Sequence, residues 1–324
     1  MIEELKNKTV MVTGATGLIG QTIVKRLLDY DARVVAVVRK LEAAEILFGK
    51  NNRLEYVVSD VTELEIKKRD VDYIIHAASN TSSRAFIEDP VGVSYTAVEG
   101  TRRLLEIAKV CHVKAFVYLS SMEIYGAPNT DDKIDERHES NLNTMAVRSA
   151  YPESKRMCEN LCASYAAQFG VPSKVVRLTQ TFGPGVQYTD GRVFAEFARC
   201  AIENRNIILH TKGETKRSYL YTEDAVDAIL TVLLNGKPME AYNAANEETY
   251  CSIYDMACLV ADKFGQGRIT VKIEAQEDLT TYGYAPTLHM NLDTTKIRSL
   301  GWSPKAGLVD MFEKMIEYMK GNRQ

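Results

Sequence analysis

Thr13-Gly14-Ala15-Thr16-Gly17-Leu18-Ile19-Gly20 decides how the rest of this chain is read. The octapeptide follows an apolar run rich in Val, Thr9–Ala15. It opens a segment in which Ile19, Ile23, Val24, Leu27 and Leu28 recur at helical spacing. A strand that turns on glycines into a helix is built for a dinucleotide. Gly14 permits the tight turn, Gly17 lets a pyrophosphate approach the backbone, and Gly20 permits close helix–strand packing. The free N–H groups and the positive end of the helix then favour the phosphates. Glycines alone are a weak signal; the strand before and the helix after give this one its weight.

Outward from that turn, apolar runs alternate with helical patterns. The spacing predicts strands at Arg33–Arg39, Leu54–Asp60, Tyr73–Ser79, Ala115–Ser121 and Lys174–Thr179, with helices that include Ala97–Val110 and Pro152–Phe169. Near-continuous apolar strands separated by helices imply a parallel sheet covered on both faces. The expected fold is therefore α/β, a Rossmann-type doubly wound parallel sheet with a smaller C-terminal substrate-binding α/β lobe. Residues 1–180 are assigned to the dinucleotide-binding domain, with a contribution from about 216–234, and 181–324 mainly to the substrate lobe. Helices are predicted at Arg192–Glu203, Thr222–Leu234, Ser252–Phe264 and Leu308–Tyr318.

Composition narrows the function. With 45% apolar and 26% charged residues the chain is ordinary globular material, and a formal charge of −3 offers nothing to attract nucleic acid or an anionic membrane. An anionic substrate must then be held by local Arg, Lys and backbone N–H groups. No apolar run reaches transmembrane length, and residues 1–8 lack the basic-then-apolar order of a signal peptide. The six cysteines are scattered, and Cys158 with Cys162 has no second Cys or His pair nearby to complete a zinc site. No metal is expected, and small buried thiols fit a reducing cytoplasm.

Two further segments carry chemistry. Tyr151-Pro152-Glu153-Ser154-Lys155 puts a phenol and an ammonium on one helix face. A phenol titrating near ~10 is a poor base at neutral pH, and a nearby ammonium is expected to lower that value. Tyr118-Leu119-Ser120-Ser121-Met122-Glu123-Ile124-Tyr125-Gly126 ends the fifth strand, where α/β sheets bind ligands.

The G-x-x-G-x-x-G spacing, that strand-end segment and Tyr-x-x-x-Lys together resemble the extended short-chain dehydrogenases/reductases, the NAD-dependent epimerase/dehydratase group that modifies nucleotide-sugars. The likeness runs to Leu300-Gly301-Trp302-Ser303-Pro304, nearly the whole chain. It implies Ser121, Tyr151 and Lys155 as catalytic residues. Gly14, Thr16, Gly17, Leu18, Ile19, Gly20, Asp60, Val61, Ala77, Ala78 and Ser79 are implied as cofactor-binding, with Tyr151 and Lys155 also reaching the cofactor. At the end of the second strand, where NAD enzymes usually place a carboxylate, stands Val38, followed by Arg39 and Lys40. A guanidinium can pair with a ribose 2′-phosphate, so a tightly bound NADP is favoured over NAD, with Arg39 as its contact.

Glu123 bears on the reaction. Sugar epimerases of the family generally carry a small or hydroxylic residue there, whereas nucleotide-sugar 4,6-dehydratases and UDP-glucuronate decarboxylases usually carry Glu. A carboxylate beside a transient ketone can move the proton that the ketone acidifies. Met122 replaces the Asp of dTDP-glucose dehydratases, which disfavours that type. On the substrate side, Arg177-Leu178-Thr179-Gln180 resembles the family's Arg-x-Phe-Asn, and the Gly213–Asp224 stretch supplies Arg217 for the diphosphate, with Arg192 as a second candidate. Tyr282-Gly283-Tyr284-Ala285-Pro286 stands where many relatives carry Arg-Pro-Gly-Asp.

The expectation is an enzyme acting on a nucleoside-diphosphate sugar through a 4-keto intermediate by dehydratase or decarboxylase chemistry. The alternatives are a C4 epimerase, a net NADPH-dependent reductase and, least favoured, a cofactor-binding regulator without turnover. The family resemblance also implies a homodimer through the helices at Ala97–Val110 and Pro152–Phe169.

Overall fold

The computed structural model describes residues 2–274 and 287–323. In chain order its strands are β1 (Thr9–Thr13), β2 (Arg33–Val38), β3 (Leu54–Val58), β4 (Tyr73–His76), β5 (Ala115–Ser121), β6 (Asn129–Ile134) and β7 (Ser173–Leu178), then β8 (Gln180–Phe182), β9 (Ile207–Leu209), β10 (Lys216–Tyr221), β11 (Ala241–Ala244), β12 (Asn246–Ser252), β13 (Val271–Ile273) and β14 (His289–Leu292). The main sheet is parallel throughout and has the spatial order β11-β7-β5-β4-β1-β2-β3. The order reverses between β1 and β4, which opens a crevice above their carboxyl ends.

Alternate strand residues feed opposite cores, as period-two geometry requires. Val10 and Val12 of β1 pack with Ile23, Val24 and Leu27 of the Leu18–Asp29 helix and with Ala225 and Ile229 of the Thr222–Asn235 helix. Met11, between them in sequence, faces the other core, with Leu104 and Leu105 of the Pro90–Cys111 helix and Cys158 and Cys162 of the Ala150–Phe169 helix. Each such fully buried aliphatic side chain contributes about 1.5–3 kcal/mol.

The seventh strand, β11, comes from the C-terminal half and pairs with β7 from Ala241↔Val175 to Ala244↔Leu178. With the Thr222–Asn235 helix and Trp302 in the same core as β1, the chain crosses back to the main sheet after residue 181. A second sheet, β12-β10-β14-β6 with β8 on β10, and the β9–β13 pair build the smaller lobe. Its core joins Phe194 and Phe197 to Met256, Phe312 and Met315. Among the described residues no helix is long and apolar enough to cross a membrane.

Two strands stop earlier than their apolar runs. β1 ends at Thr13 because Gly14 turns with φ +64°. β4 ends at His76 because the Ala78 N–H leaves the ladder and donates to Thr13 Oγ1 at 3.2 Å.

Lys174 of β7 is buried, and its Nζ donates to Leu233 O at 2.6 Å, closing the end of the Thr222–Asn235 helix. Burial pushes this ammonium down to about 8. The unfolded chain therefore holds more protons between that value and the ordinary lysine range, so stability should rise with pH there. Comparing wild type with Lys174→Met in urea, wild type should gain about 2–3 kcal/mol on the variant from pH 7.5 to 10.5. A constant difference would show that the ammonium is not desolvated.

Candidate active site

At the crevice the Gly-rich turn is tied to its neighbours at van der Waals limits. A Cβ on Gly14 would lie 2.8 Å from Ala78 Cα and N, and one on Gly20 would lie 2.0 Å from Gly14 O. Gly17 N donates to Gly14 O at 2.9 Å, and Gly17 is the N-cap of the Leu18–Asp29 helix without any side-chain cap. The first-turn N–H groups of that helix thus lack side-chain acceptors and carry the positive end of its dipole.

Beneath the turn, His76 bridges Thr13 Oγ1 at 2.7 Å and Thr101 Oγ1 at 3.2 Å. Burial, then the Lys155 charge, drives its imidazole down to about 3, so the bridge is neutral. Asp60 Oδ1 accepts from Thr62 N at 2.9 Å and Thr62 Oγ1 at 2.7 Å. These bonds hold the carboxyl below its usual range, and Arg39 adds to the effect.

Gly14, Thr16, Gly17, Arg39, Asp60, Val61, Ala77, Ala78 and Ser79 line one cavity of about 1920 Å³, which runs on to Glu123, Gln180, Arg192 and Arg217. Pockets for one drug-sized ligand measure about 300–1,000 Å³, so this cavity has room for a dinucleotide beside a second ligand. Leu18, Ile19 and Gly20 do not line it. Leu18 packs on the C-terminal core, Ile19 on the main one, and Gly20 is buried under the turn. A cradle that a Cβ would fill, above an uncapped helix start, suits a dinucleotide phosphate.

Ser121, Tyr151 and Lys155 converge from the end of β5 and the Ala150–Phe169 helix. They sit behind the cavity wall, whose lining includes their chain neighbours Met122, Glu123, Ser149 and Pro152. The Tyr151 ring is stacked on Phe86 at 4.3 Å and 14°. Lys155 Nζ donates to Leu119 O at 2.7 Å and lies 5.7 Å from the Tyr151 ring centroid.

Here the structure differs from the sequence expectation. Burial, then the Glu123 charge, pushes the Tyr151 phenol well up, opposed by Ser121 and Arg148 rather than by Lys155. Lys155 is itself lowered to about 8 by burial. The ammonium is committed to a carbonyl and is desolvated, so its pull on the phenol is spent elsewhere.

Glu123 caps no helix; its backbone N donates to Ser121 Oγ at 3.2 Å and its Oε2 accepts from Arg148 Nη1 at 2.9 Å. Arg148 and Phe86 are the functional candidates that sequence reading missed. No local rule singles out an Arg three residues before the Tyr, and Phe86 arrives from the separate Ala85–Glu88 turn of helix.

On the far wall, Gln180 and Arg217 stand on paired parallel strands, with Gln180 in register with Tyr219. Gln180 Oε1 and Arg217 Nε are buried without a hydrogen-bond partner among the described residues. Arg192 is engaged, with its Nε and Nη2 on Asp190 at 2.6–3.1 Å and its guanidinium 4.8 Å over Phe194. Tyr282–Pro286 lies outside the described residues.

Comparison with known proteins places this geometry. The chain is 29% identical over 98% of its length to UDP-glucuronic acid decarboxylase 1 of Xenopus tropicalis, covering 74% of that protein. It is 27% identical to human dTDP-D-glucose 4,6-dehydratase over 97% of its length and 91% of that protein's. The fold matches UDP-glucose 4-epimerase of Thermotoga maritima, solved with UDP-glucose, at TM-score 0.83 and 21% identity, over 98% of this chain and all of that one (100%). Residues 10–245, from β1 through β11, match the NAD dependent epimerase/dehydratase family. With its glycine turn, its Ser-Tyr-Lys cluster and a match over more than half its length, the chain belongs to the NAD-dependent epimerase/dehydratase family.

Proposed function

We propose that this protein converts a nucleoside-diphosphate sugar through a transient 4-keto intermediate, and that Glu123 then assists elimination or decarboxylation at the carbon beside the ketone. The observation that carries the reading is the position of Glu123 on the cavity wall, with its N bonded to Ser121 Oγ and its charge raising the Tyr151 phenol. Gly14, Thr16, Gly17, Asp60, Val61 and Ala77–Ser79 would hold a nicotinamide dinucleotide, which would supply hydride acceptor and donor chemistry without net consumption. Arg39, beside Asp60 at the adenosine end, favours NADP over NAD.

Tyr151, as phenolate, takes the proton of the sugar C4 hydroxyl, and Ser121 donates to the oxygen as it becomes a ketone. Lys155 anchors the helix face that presents the phenol. Arg217, with an uncommitted Nε, grips the diphosphate, for which a guanidinium fork is suited. Gln180 orients the sugar, and Arg192 with Asp190 closes the wall beside it. A C4 epimerase is the second reading, favoured by the Arg148 ion pair, which gives Glu123 a partner other than substrate. We also infer a homodimer through the Pro90–Cys111 and Ala150–Phe169 helices, which expose Val91, Tyr95, Met157 and Phe169. A cytoplasmic setting suits the six free cysteines.

The test has two parts. Native mass spectrometry of fresh protein should show NADP or NAD at close to one per chain. Proton NMR should then follow UDP-glucuronate, dTDP-glucose, UDP-glucose and UDP-N-acetylglucosamine with trace cofactor. Decarboxylation or 4-keto-6-deoxy product is expected, and Glu123→Gln should slow its formation by about 10²–10³-fold while 340 nm absorbance still reports C4 oxidation. Clean C4 inversion unaffected by Glu123→Gln would select the epimerase. Stoichiometric NADPH consumption with an external carbonyl would overturn the proposal.

A further inference from the structure

Arg148 lies on a three-residue turn, Val147–Ser149, immediately before the helix that carries Tyr151. Ser149 fixes that turn, donating through its N to Ala146 O at 2.9 Å and through its Oγ to Asn143 O at 2.7 Å. The side chain reaches back across the cavity wall to Glu123, and the two side chains are 22% and 25% exposed. Exposed pairs contribute about 0–1 kcal/mol to stability, and this half-buried single contact does little better on that account.

Its surroundings point to a different use. The guanidinium carbon is 5.7 Å from the centroid of Phe86, whose ring is stacked on Tyr151. Glu123 N in turn donates to Ser121 Oγ, so a chain of contacts runs from Tyr151 through Phe86, Arg148 and Glu123 to Ser121. Arg148 Nε is buried with no hydrogen-bond partner among the described residues, although a purely structural arginine would spend that donor on the protein.

We propose that Arg148 is a positioning residue of the reaction centre: it fastens the Glu123 carboxylate in place and screens Tyr151 from that carboxylate's charge. The proposal rests on the reading of Tyr151 as base and Glu123 as the carboxylate that acts beside the ketone.

The charged and titratable groups around Tyr151 support this division of labour. From β5 and the turn after it come Tyr118, Ser121 and Glu123; from its own helix comes Lys155, tied to Leu119 O; from the preceding turn comes Arg148. The Ala85–Glu88 helix offers only the uncharged Phe86, since Glu88 pairs with Arg84 at 2.7 Å in solvent. Glu123 raises the phenol and Arg148 lowers it, so the two act in opposition. A base must be deprotonated to work, so loss of Arg148 delays activity to higher pH.

Arg148→Met keeps the stem and removes the charge; Arg148→Lys keeps the charge. With whichever of the four nucleotide-sugars turns over, kcat is measured from pH 6 to 10, alongside UDP affinity by calorimetry. In Arg148→Met the rising limb should move up by about one pH unit, about tenfold in kcat at pH 7, with UDP affinity unchanged. Arg148→Lys should restore the limb. In a Glu123→Gln background the same Arg148→Met change should no longer move it. A pH-independent loss shared by Met and Lys, or an equal shift in the Glu123→Gln background, would overturn the proposal. Should Tyr151→Phe keep wild-type turnover, the functional reading itself has failed and the proposal falls with it.

Discussion

Tyr151→Phe is expected to lower kcat by about 10²–10⁴-fold, the usual loss when a general acid–base group is removed. The ring should stay where it is, because the stack on Phe86 at 4.3 Å uses only the faces of the two rings. Packing around position 151 is otherwise unchanged, so the melting temperature should move little. Without the hydroxyl the proposed C4 base is gone: Lys155 is committed to Leu119 O, and Glu123, held by Arg148, is assigned to the carbon beside the ketone rather than to the C4 hydroxyl. Wild-type turnover should also climb as pH rises above neutrality, since burial and Glu123 push the phenol up and the base form is the active one. Steady-state assay of the variant over the same pH range checks both statements. Retained turnover would remove Tyr151 from the mechanism.

Gly20→Ala should be nearly as damaging, for a purely geometric reason. The added methyl carbon would sit 2.0 Å from Gly14 O and 2.8 Å from Gly14 C, both backbone atoms that no rotamer change can move. The helix must shift off the turn, and Gly14 cannot yield toward β4, because Ala78 already stands 2.8 Å from its own Cβ direction. We expect a loss of stability on the order of 3 kcal/mol and at least a hundredfold weaker NAD+ binding, because the first-turn N–H groups would no longer face the phosphates. Gly321→Ala, with nothing within 4 Å, serves as the control and should change neither. Calorimetric titration with NAD+ and thermal melting of both variants decide the matter. Unimpaired NAD+ binding by Gly20→Ala would show that the dinucleotide does not rest on this helix start.

How much of this was legible beforehand follows from the range of the interactions involved. The alternation of short apolar runs with helical spacing is local, and it carried the sheet and the covering helices as far as β7. The helix start at Leu18 and the placement of Tyr151 and Lys155 on one helix are also local, one turn of helix or one tight loop. β11 was another matter, because a four-residue strand of Ala241-Tyr242-Asn243-Ala244 has no periodicity to declare itself. Only the open edge of β7 makes it a strand. The early end of β4 likewise depends on a hydrogen bond between Thr13 and Ala78, far apart in sequence.

By itself the sequence determined the class of fold, the glycine turn and the placement of Tyr151 and Lys155 on one helix face, because each is written in spacing over a few residues; Ser121 was proposed from the family resemblance alone. The tertiary structure alone decided what those groups feel. It buried Tyr151 under Phe86, turned Lys155 to Leu119 O, brought Arg148 onto Glu123, and left Gln180 Oε1 and Arg217 Nε without partners on the far wall. Proton affinity and charge balance are sums over every neighbour in space, and most of those neighbours are distant in the chain.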